Sequence, residues 1–299
     1  MDSATVHRSG FAGLVGRPNV GKSTLVNRLA GSRVAITSDR PQTTRNRIRA
    51  VLHLDGAQLV LVDTPGFHKP RSPLGEKLNL MVRSTMSEVD IILFVLDVGG
   101  GIGRGDEFIA GELKKTGTPV VGVLNKIDLV KREQLPTSLI QASKLCHMAA
   151  IVPVSATTGS GLPELTGLLV GMLPEGPAYF PDDMVSDQPE RMLVAELIRE
   201  KALELTREEV PHSVAVLVEE IRPGSKPDLL EVEVVLYVEK ESQKGIIVGR
   251  GGRMIKEIGS RARREIEALL GSRIYLDLRV KVEKDWTRNP AFIRRLELY

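Results

Sequence analysis

The chain has 299 residues, 41 Lys+Arg against 38 Asp+Glu for a formal net charge of +3, and 42% hydrophobic residues. That length allows about two domains of ordinary size, and so average a composition excludes a collagen-like or low-complexity chain. The single cysteine, Cys146, excludes an internal disulfide framework and is expected as a small buried hydrophobe in a reducing, cytoplasmic setting.

The first ten residues lack the apolar segment of a secretory signal, and no apolar run reaches the ~20 residues of a membrane span. The small net charge hides a division. Residues 242–299 hold fourteen Lys/Arg against seven Asp/Glu, which leaves 27 against 31 in the first 241. An acidic front and a basic tail imply two tasks, the second of a kind suited to nucleic acid.

From residue 11 to about 173, short apolar runs alternate with helix-length amphipathic stretches. FAGLVG, AQLVLVDTPG, DIILFVLDV, PVVGVLNKID and AIVPVSA read as buried strands, while Lys22–Ala30, 74–89 and 133–148 read as helices. The predicted fold is α/β, a mostly parallel sheet with helices on both faces.

The first strand leads into Gly16-Arg17-Pro18-Asn19-Val20-Gly21-Lys22-Ser23, then Thr24 and a helix. This is the spacing of a phosphate-binding loop. Its glycines let the backbone curl so that N–H groups face phosphate oxygens, and the helix N-terminus adds its dipole. Lys22 is placed to reach the β- and γ-phosphates and Ser23 to ligate Mg²⁺. The loop by itself does not separate ATP from GTP.

The long loop after this helix carries Gln42-Thr43-Thr44. A threonine here would complete the Mg²⁺ shell only beside a γ-phosphate, which is how such loops become switches; Thr44 is preferred, Thr43 the alternative. Asp63-Thr64-Pro65-Gly66 follows the next strand, with Asp63 placed to hold Mg²⁺ and Gly66 to offer its N–H to the γ-phosphate. Asn125-Lys126-Ile127-Asp128 follows a third. A carboxylate there accepts two hydrogen bonds from the guanine N1–H and N2–H₂ edge, and leaving it unpaired with adenine costs about 10⁴-fold in comparable sites. Ser155-Ala156-Thr157 follows a further strand and offers backbone N–H groups to guanine O6. Each motif alone is weak; four in this order at strand ends point to one nucleotide site.

Residues 174–190 hold four prolines and five acids without periodicity and read as a linker. The assigned boundaries are 1–175 for the nucleotide domain, 176–190 for the linker and 191–299 for a second, smaller α+β domain. Within it, a helix over 190–206 precedes the alternating strands VAVLVEEIRP and LLEVEVVLYVEK, a glycine-rich turn, a helix over Arg253–Leu270 and the strand IYLDLRVKVE.

The turn is Gly249-Arg250-Gly251-Gly252, whose missing Cβ atoms let a nucleic-acid backbone approach. In the helix after it, steps of ~100° put Lys256, Arg263 and Arg264 within about 80° of Arg253. Met254, Ile255, Ile258, Ala262, Ile266 and Leu269 fall opposite, so a basic face lies beside the GxxG turn. Ile246, Ile247, Val248 and Ile255 are candidates for an apolar wall against bases. His7, His53, His68, His147 and His212 show no metal-ligand spacing and receive no chemical role.

GRPNVGKSTLVN, the paired threonines of PQTTR, DTPGFHKP and VGRGGRMIKEIGSRARREIE resemble the bacterial Era family of GTPases, over roughly residues 9–299. The resemblance implies a P-loop GTPase domain joined to a C-terminal type II KH domain. It implies hydrolysis of GTP to GDP and phosphate in a nucleotide-controlled switch. The implied partners are the 3′ end of small-subunit ribosomal RNA and the small ribosomal subunit, whose assembly it assists; DNA is not among them. A monomer is implied, cytoplasmic and with room for peripheral contact at the inner face of the cell membrane. Phe67 stands where Ras-like proteins keep a water-orienting Gln, so no single side chain is assigned as catalytic and unaided turnover is expected to be slow. K⁺, coordinated in part by Asn19, is an implied substitute for the missing charge. The alternative class is a membrane-associated signalling GTPase whose basic tail binds anionic lipid.

Overall fold

A computed structural model describes residues 7–37, 44–70, 72–206 and 210–296. The chain divides into two compact units, the bulk of the first ending at Asp187 and that of the second beginning at Gln188.

In the first unit β1 (Arg8–Val15), β2 (Ile48–Leu54), β3 (Ala57–Asp63), β4 (Ile91–Asp97), β5 (Val120–Asn125) and β6 (Ala150–Pro153) form one sheet in the order β2-β3-β1-β4-β5-β6. All pairings are parallel except β2 with β3. β3, β4 and β5 are apolar along nearly their whole length because both faces are covered. One face packs α1 (Lys22–Ala30) and α5 (Leu162–Met172) through Leu25, Val26, Leu165 and Leu169. The other packs α2 (Pro73–Glu88), α3 (Arg104–Leu113) and α4 (Leu135–Ser143) through Val82, Ile109, Leu113 and Ala142. Cys146 is buried in this second layer.

β2 is an element absent from the sequence reading. It is joined to β3 by Asp55-Gly56, with Gly56 at φ +65°. An Asp-Gly pair between two apolar runs is a strong hairpin signal, because glycine accepts the left-handed backbone a two-residue turn needs.

The segment expected to act as a linker is fastened to the first unit as far as Asp187. Buried Gln58 accepts the Tyr179 and Phe180 N–H groups at 2.7 and 3.0 Å and donates to the Phe180 carbonyl at 2.8 Å. The Val51 N–H donates to the Val185 carbonyl, and Arg49 pairs with Asp187 at 2.7 Å. The segment covers the outer edge of β2, whose unpaired backbone would otherwise remain open. Its polar, proline-rich composition conceals this because most of the bonds are made by its backbone.

The second unit holds α6 (Glu190–Leu205), α7 (Val210–Ser213), β7 (Ala215–Pro223), β8 (Leu229–Val238), α8 (Glu241–Val248), α9 (Arg253–Leu270), β9 (Arg273–Val282) and α10 (Pro290–Arg295). Its sheet runs β7-β8-β9, antiparallel and then parallel. A parallel pair needs a long crossover, and α8, the glycine turn and α9 supply it. Ile198, Ala202, Ile247, Ile258, Ala262 and Ile266 form the core with Val232, Val234 and Leu236. Toward the C-terminus Tyr237 stacks edge-on against Phe292 at 4.9 Å, and the Trp286 indole donates to the Ser213 carbonyl at 2.8 Å. Among the described residues no helix is long and apolar enough to cross a membrane.

Candidate nucleotide site and nucleic-acid interface

The loop after β1 is shaped by residues that tolerate unusual backbone. Gly21 lies at φ +94° and Asn19 at +64°. A Cβ on Gly16 would meet the Val95 carbonyl oxygen at 2.5 Å, so the loop passes too close to β4 for any side chain. Lys22 begins α1 and is buried, its ammonium donating to the carbonyls of Gly16 (3.2 Å) and Arg17 (3.1 Å). Burial pulls its pKa down to about 8, with Asp63 partly opposing. This lysine is held inside the curl of the loop, where a phosphate would supply the negative charge it lacks.

Ser23, Thr44 and Asp63 converge. Ser23 Oγ donates to Asp63 Oδ2 at 2.6 Å and lies 2.9 Å from Thr44 Oγ1, which is 3.4 Å from the same Oδ2. Asp63 is fully buried, and its other oxygen, Oδ1, has no hydrogen-bond partner among the described residues. Burial therefore raises its pKa, against the opposing charge of Lys22 and the Ser23 and Thr44 hydroxyls. A buried carboxylate oxygen without a partner beside two hydroxyls fits a hard, oxygen-seeking cation such as Mg²⁺. Gln42 and Thr43, the other two switch candidates, lie outside the described residues.

Thr64, Pro65 and Gly66 continue from β3 against the loop. Thr64 Oγ1 donates to the Leu14 carbonyl at 2.6 Å, and a Cβ on Gly66 would strike Pro18 at 2.7 Å. Phe67 donates its N–H to the Gly16 carbonyl at 3.0 Å, while its ring is buried 5.5 Å from Phe108 with the Arg83 guanidinium over it. Thr24 lies in the first turn of α1.

At the end of β5, Asn125 links three motifs: its amide donates to the Val20 carbonyl at 2.9 Å and accepts the Ala156 N–H at 3.0 Å. Lys126, at φ +68°, donates to the Asn19 carbonyl (2.8 Å) and pairs with Asp97 (2.7 Å). Asp128 stands exposed beyond them. The Ser155 N–H donates to the Ser160 carbonyl, so with Ala156 two of the three N–H groups expected to face a guanine carbonyl are engaged within the protein; Thr157 is exposed. Arg17, grouped with the nucleotide contacts, extends sideways: its Nε donates to buried Asp106 at 2.8 Å and Nη2 to the Gly101 carbonyl at 2.8 Å. Sequence reasoning missed Asp97 and Asp106. Asp97 closes a strand as Asp63 and Asn125 do, which was an available signal; Asp106 offered none.

In the second unit Gly249, Arg250, Gly251 and Gly252 form the turn between α8 and α9. A Cβ on Gly249 would meet the Met254 nitrogen at 2.8 Å, whereas Gly251 and Gly252, at φ +60° and +77°, have nothing within 4 Å. Gly252 supplies no side-chain cap, and the first turn of α9 carries no acid. Arg253, Lys256, Arg263 and Arg264 are all exposed on α9, as the helical projection requires. Arg263 is partly neutralised by Glu267 at 2.9 Å. On the opposite face Ile258, Ala262 and Ile266 are fully buried, but Leu269 is 38% exposed. The stretch GIIV, read only as apolar, belongs to α8; Ile247 is buried and Ile246 is 48% exposed beside the turn.

A phosphate loop followed at successive strand ends by Asp63, Asn125 and Ser155 defines a P-loop nucleotide domain of the GTPase type. The second unit, with its GxxG turn between two helices and a parallel strand pair, is a type II KH domain. Residues 11–126 match the family described as 50S ribosome-binding GTPase, and residues 209–287 the one described as KH domain. A structure of Era with MgGDPNP and nucleotides 1506–1542 of 16S ribosomal RNA is 41% identical, covering 98% of this chain and 99% of that one at a TM-score of 0.95. A tyrosine-to-alanine variant of Aquifex aeolicus Era bound to GDP·AlF4⁻ is also 41% identical, covering 97% and 99% at a TM-score of 0.93. The chain belongs to the Era family of GTPases.

Proposed function

We propose that this protein binds and hydrolyses GTP and uses the nucleotide state to control binding of the 3′ end of small-subunit ribosomal RNA, assisting assembly of that subunit. The observation that carries the reading is the convergence of Lys22, Ser23, Thr44 and Asp63 in one unit, in a chain whose full-length relative was solved with both MgGDPNP and 16S RNA. That relative, matched across both units, outweighs the 50S wording attached to residues 11–126 alone.

Lys22 and the loop N–H groups hold the phosphates, and Asp128 reads the guanine edge. Ser23, Thr44 and Asp63 hold Mg²⁺, which when bound neutralises charge on the phosphate oxygens. Thr44 ties the loop before β2 to this site, so its grip depends on what the site contains. Phe67 is turned into the core and orients no water. Hydrolysis therefore rests on positioning and electrostatics, and the unaided rate falls in the slow range of about 10⁻⁴ s⁻¹ known for Ras without its partner. Asn19, exposed and fixed through its carbonyl by Lys126, is the candidate ligand for K⁺.

The chain divides into a GTPase domain over 1–175, a connector over 176–190 that is fastened to the first unit as far as Asp187, and a KH domain over 191–299. The KH domain takes a few single-stranded nucleotides at Gly249–Gly252, with Arg250, Arg253, Lys256 and Arg264 on phosphates and Ile246 against bases. The lipid-binding alternative is weaker because the basic residues sit on an ordered helix beside a turn open to a backbone, not on a free polybasic arm. Crosslinking in cells and sequencing the bound RNA tests the proposal: enrichment at the small-subunit rRNA 3′ end is expected. Flotation with anionic liposomes in the absence of any RNA binding would replace it with the membrane reading.

A further inference from the structure

The strongest feature outside the assigned contacts is the brace between the phosphate loop and α3. Arg17 occupies the second position of the loop, yet its guanidinium points away from the lysine and into the N-terminal turn of α3. Nε donates to Asp106 Oδ1 and Nη2 to the Gly101 carbonyl, both at 2.8 Å. Asp106 is fully buried, and its second oxygen accepts the Gly103 N–H at 2.9 Å, so the carboxylate is shared between capping α3 and gripping Arg17. The fit is tight: a Cβ on Gly105 would lie 2.5 Å from Arg17 Cδ. The Arg17 backbone meanwhile turns its carbonyl inward to Lys22. One residue is thus pinned by its side chain on the outside and receives the phosphate-binding lysine on the inside.

α3 also touches the opposite side of the site. Phe108, one turn along, packs on Phe67, whose N–H is bonded to Gly16 beside Arg17. Pro18 is trapped against Gly66 by a contact too close for any side chain at that position. The loop is therefore held by α3 through Arg17 and by the residues after β3 through Gly16 and Pro18.

We propose that Asp106 is a positioning residue for nucleotide binding, acting through Arg17 to hold the phosphate loop in the curled form that receives phosphate. The inference rests on the reading of this loop as the GTP site. A loop whose N–H groups are already fixed binds phosphate without first ordering itself, and releasing one anchor lets the loop open. The effect falls on the phosphate end of the nucleotide and not on the base, which Asp128 reads from a different strand end.

The test is a double-mutant cycle on the full chain, reading the release rate of fluorescent GDP, the GTP-over-XTP preference and the melting temperature. Arg17→Ala and Asp106→Ala are each expected to speed release about tenfold or more, with the double variant no faster than the quicker single and base preference unchanged. Arg17→Lys is expected to recover part of the loss. Asp106→Asn guards against misfolding: one oxygen remains for the Gly103 N–H while a donor faces Arg17, so release quickens with little change in melting temperature. Release at the wild-type rate in Arg17→Ala or Asp106→Asn, or singles that multiply in the double, would overturn the proposal. If the wild type binds GTP no better than Lys22→Ala, the site reading itself is wrong.

Discussion

The two units of the molecule present contrasting surfaces to anionic ligands. In the GTPase unit most of the polar groups of the site are buried and already engaged, exposed Asp128 apart: Lys22 in carbonyls, Asp63 with two hydroxyls, Asn125 bridging two loops. In the KH unit the cations of α9 stand in solvent beside glycines with open space around them. A preorganised buried site gains its discrimination from what it would leave unpaired, while an exposed basic face gains affinity from counterion release and little discrimination from charge alone. Substitutions in the first region should therefore act steeply and selectively, those in the second gradually and in a salt-dependent way.

The steepest expected effect is at Asp128. Replacing it with Asn leaves one oxygen to accept the N1–H but turns the acceptor for the guanine amino group into a donor suited to the xanthine O2, so preference should move from GTP to XTP by about 10⁴-fold in competition binding. Lys22→Ala leaves the phosphates without their buried cation and should weaken GTP binding by at least about a hundredfold in calorimetry.

Gly252→Asp comes next and sharpens the comparison, because the same site tests charge and backbone together. Its Cβ meets nothing within 4 Å, and Asp tolerates left-handed backbone better than most residues, so the domain should stay folded at a cost of about 1 kcal/mol in chemical denaturation. RNA affinity should fall at least tenfold in filter binding, since a negative side chain would occupy the path of the phosphates. The smallest effect belongs to Lys256→Ala: a few-fold loss of RNA affinity for all sequences and a salt slope shallower by about 0.7.

What was legible in the sequence follows the same division. The phosphate loop, Asp63 and Asn125 were readable because the loop's spacing is strict and each motif stands at a strand end that apolar runs announce. The basic face of α9 was readable from the location of charge, since the +3 total spreads a mildly acidic front and a basic tail. Other features were not read. β2 was passed over because His53 and Arg49 interrupt its apolar run, although Asp55-Gly56 marked the hairpin. α8 is two turns long with a glycine inside it, too short for helical periodicity to show. The bonds of residues 175–187 to β2 and β3 run largely through backbone groups, and the sideways course of Arg17 depends on Asp106, 89 residues later in the chain; composition and spacing carry neither.

The central claim is that occupancy of the buried site governs the exposed one. Its most direct test is the affinity of the full chain for a single-stranded RNA of the small-subunit rRNA 3′ end, measured with MgGDPNP and again with MgGDP at one salt concentration. Binding at least tenfold tighter with MgGDPNP, and lost in both states with Gly252→Asp, is the predicted result. Equal affinity in the two nucleotide states would contradict the account.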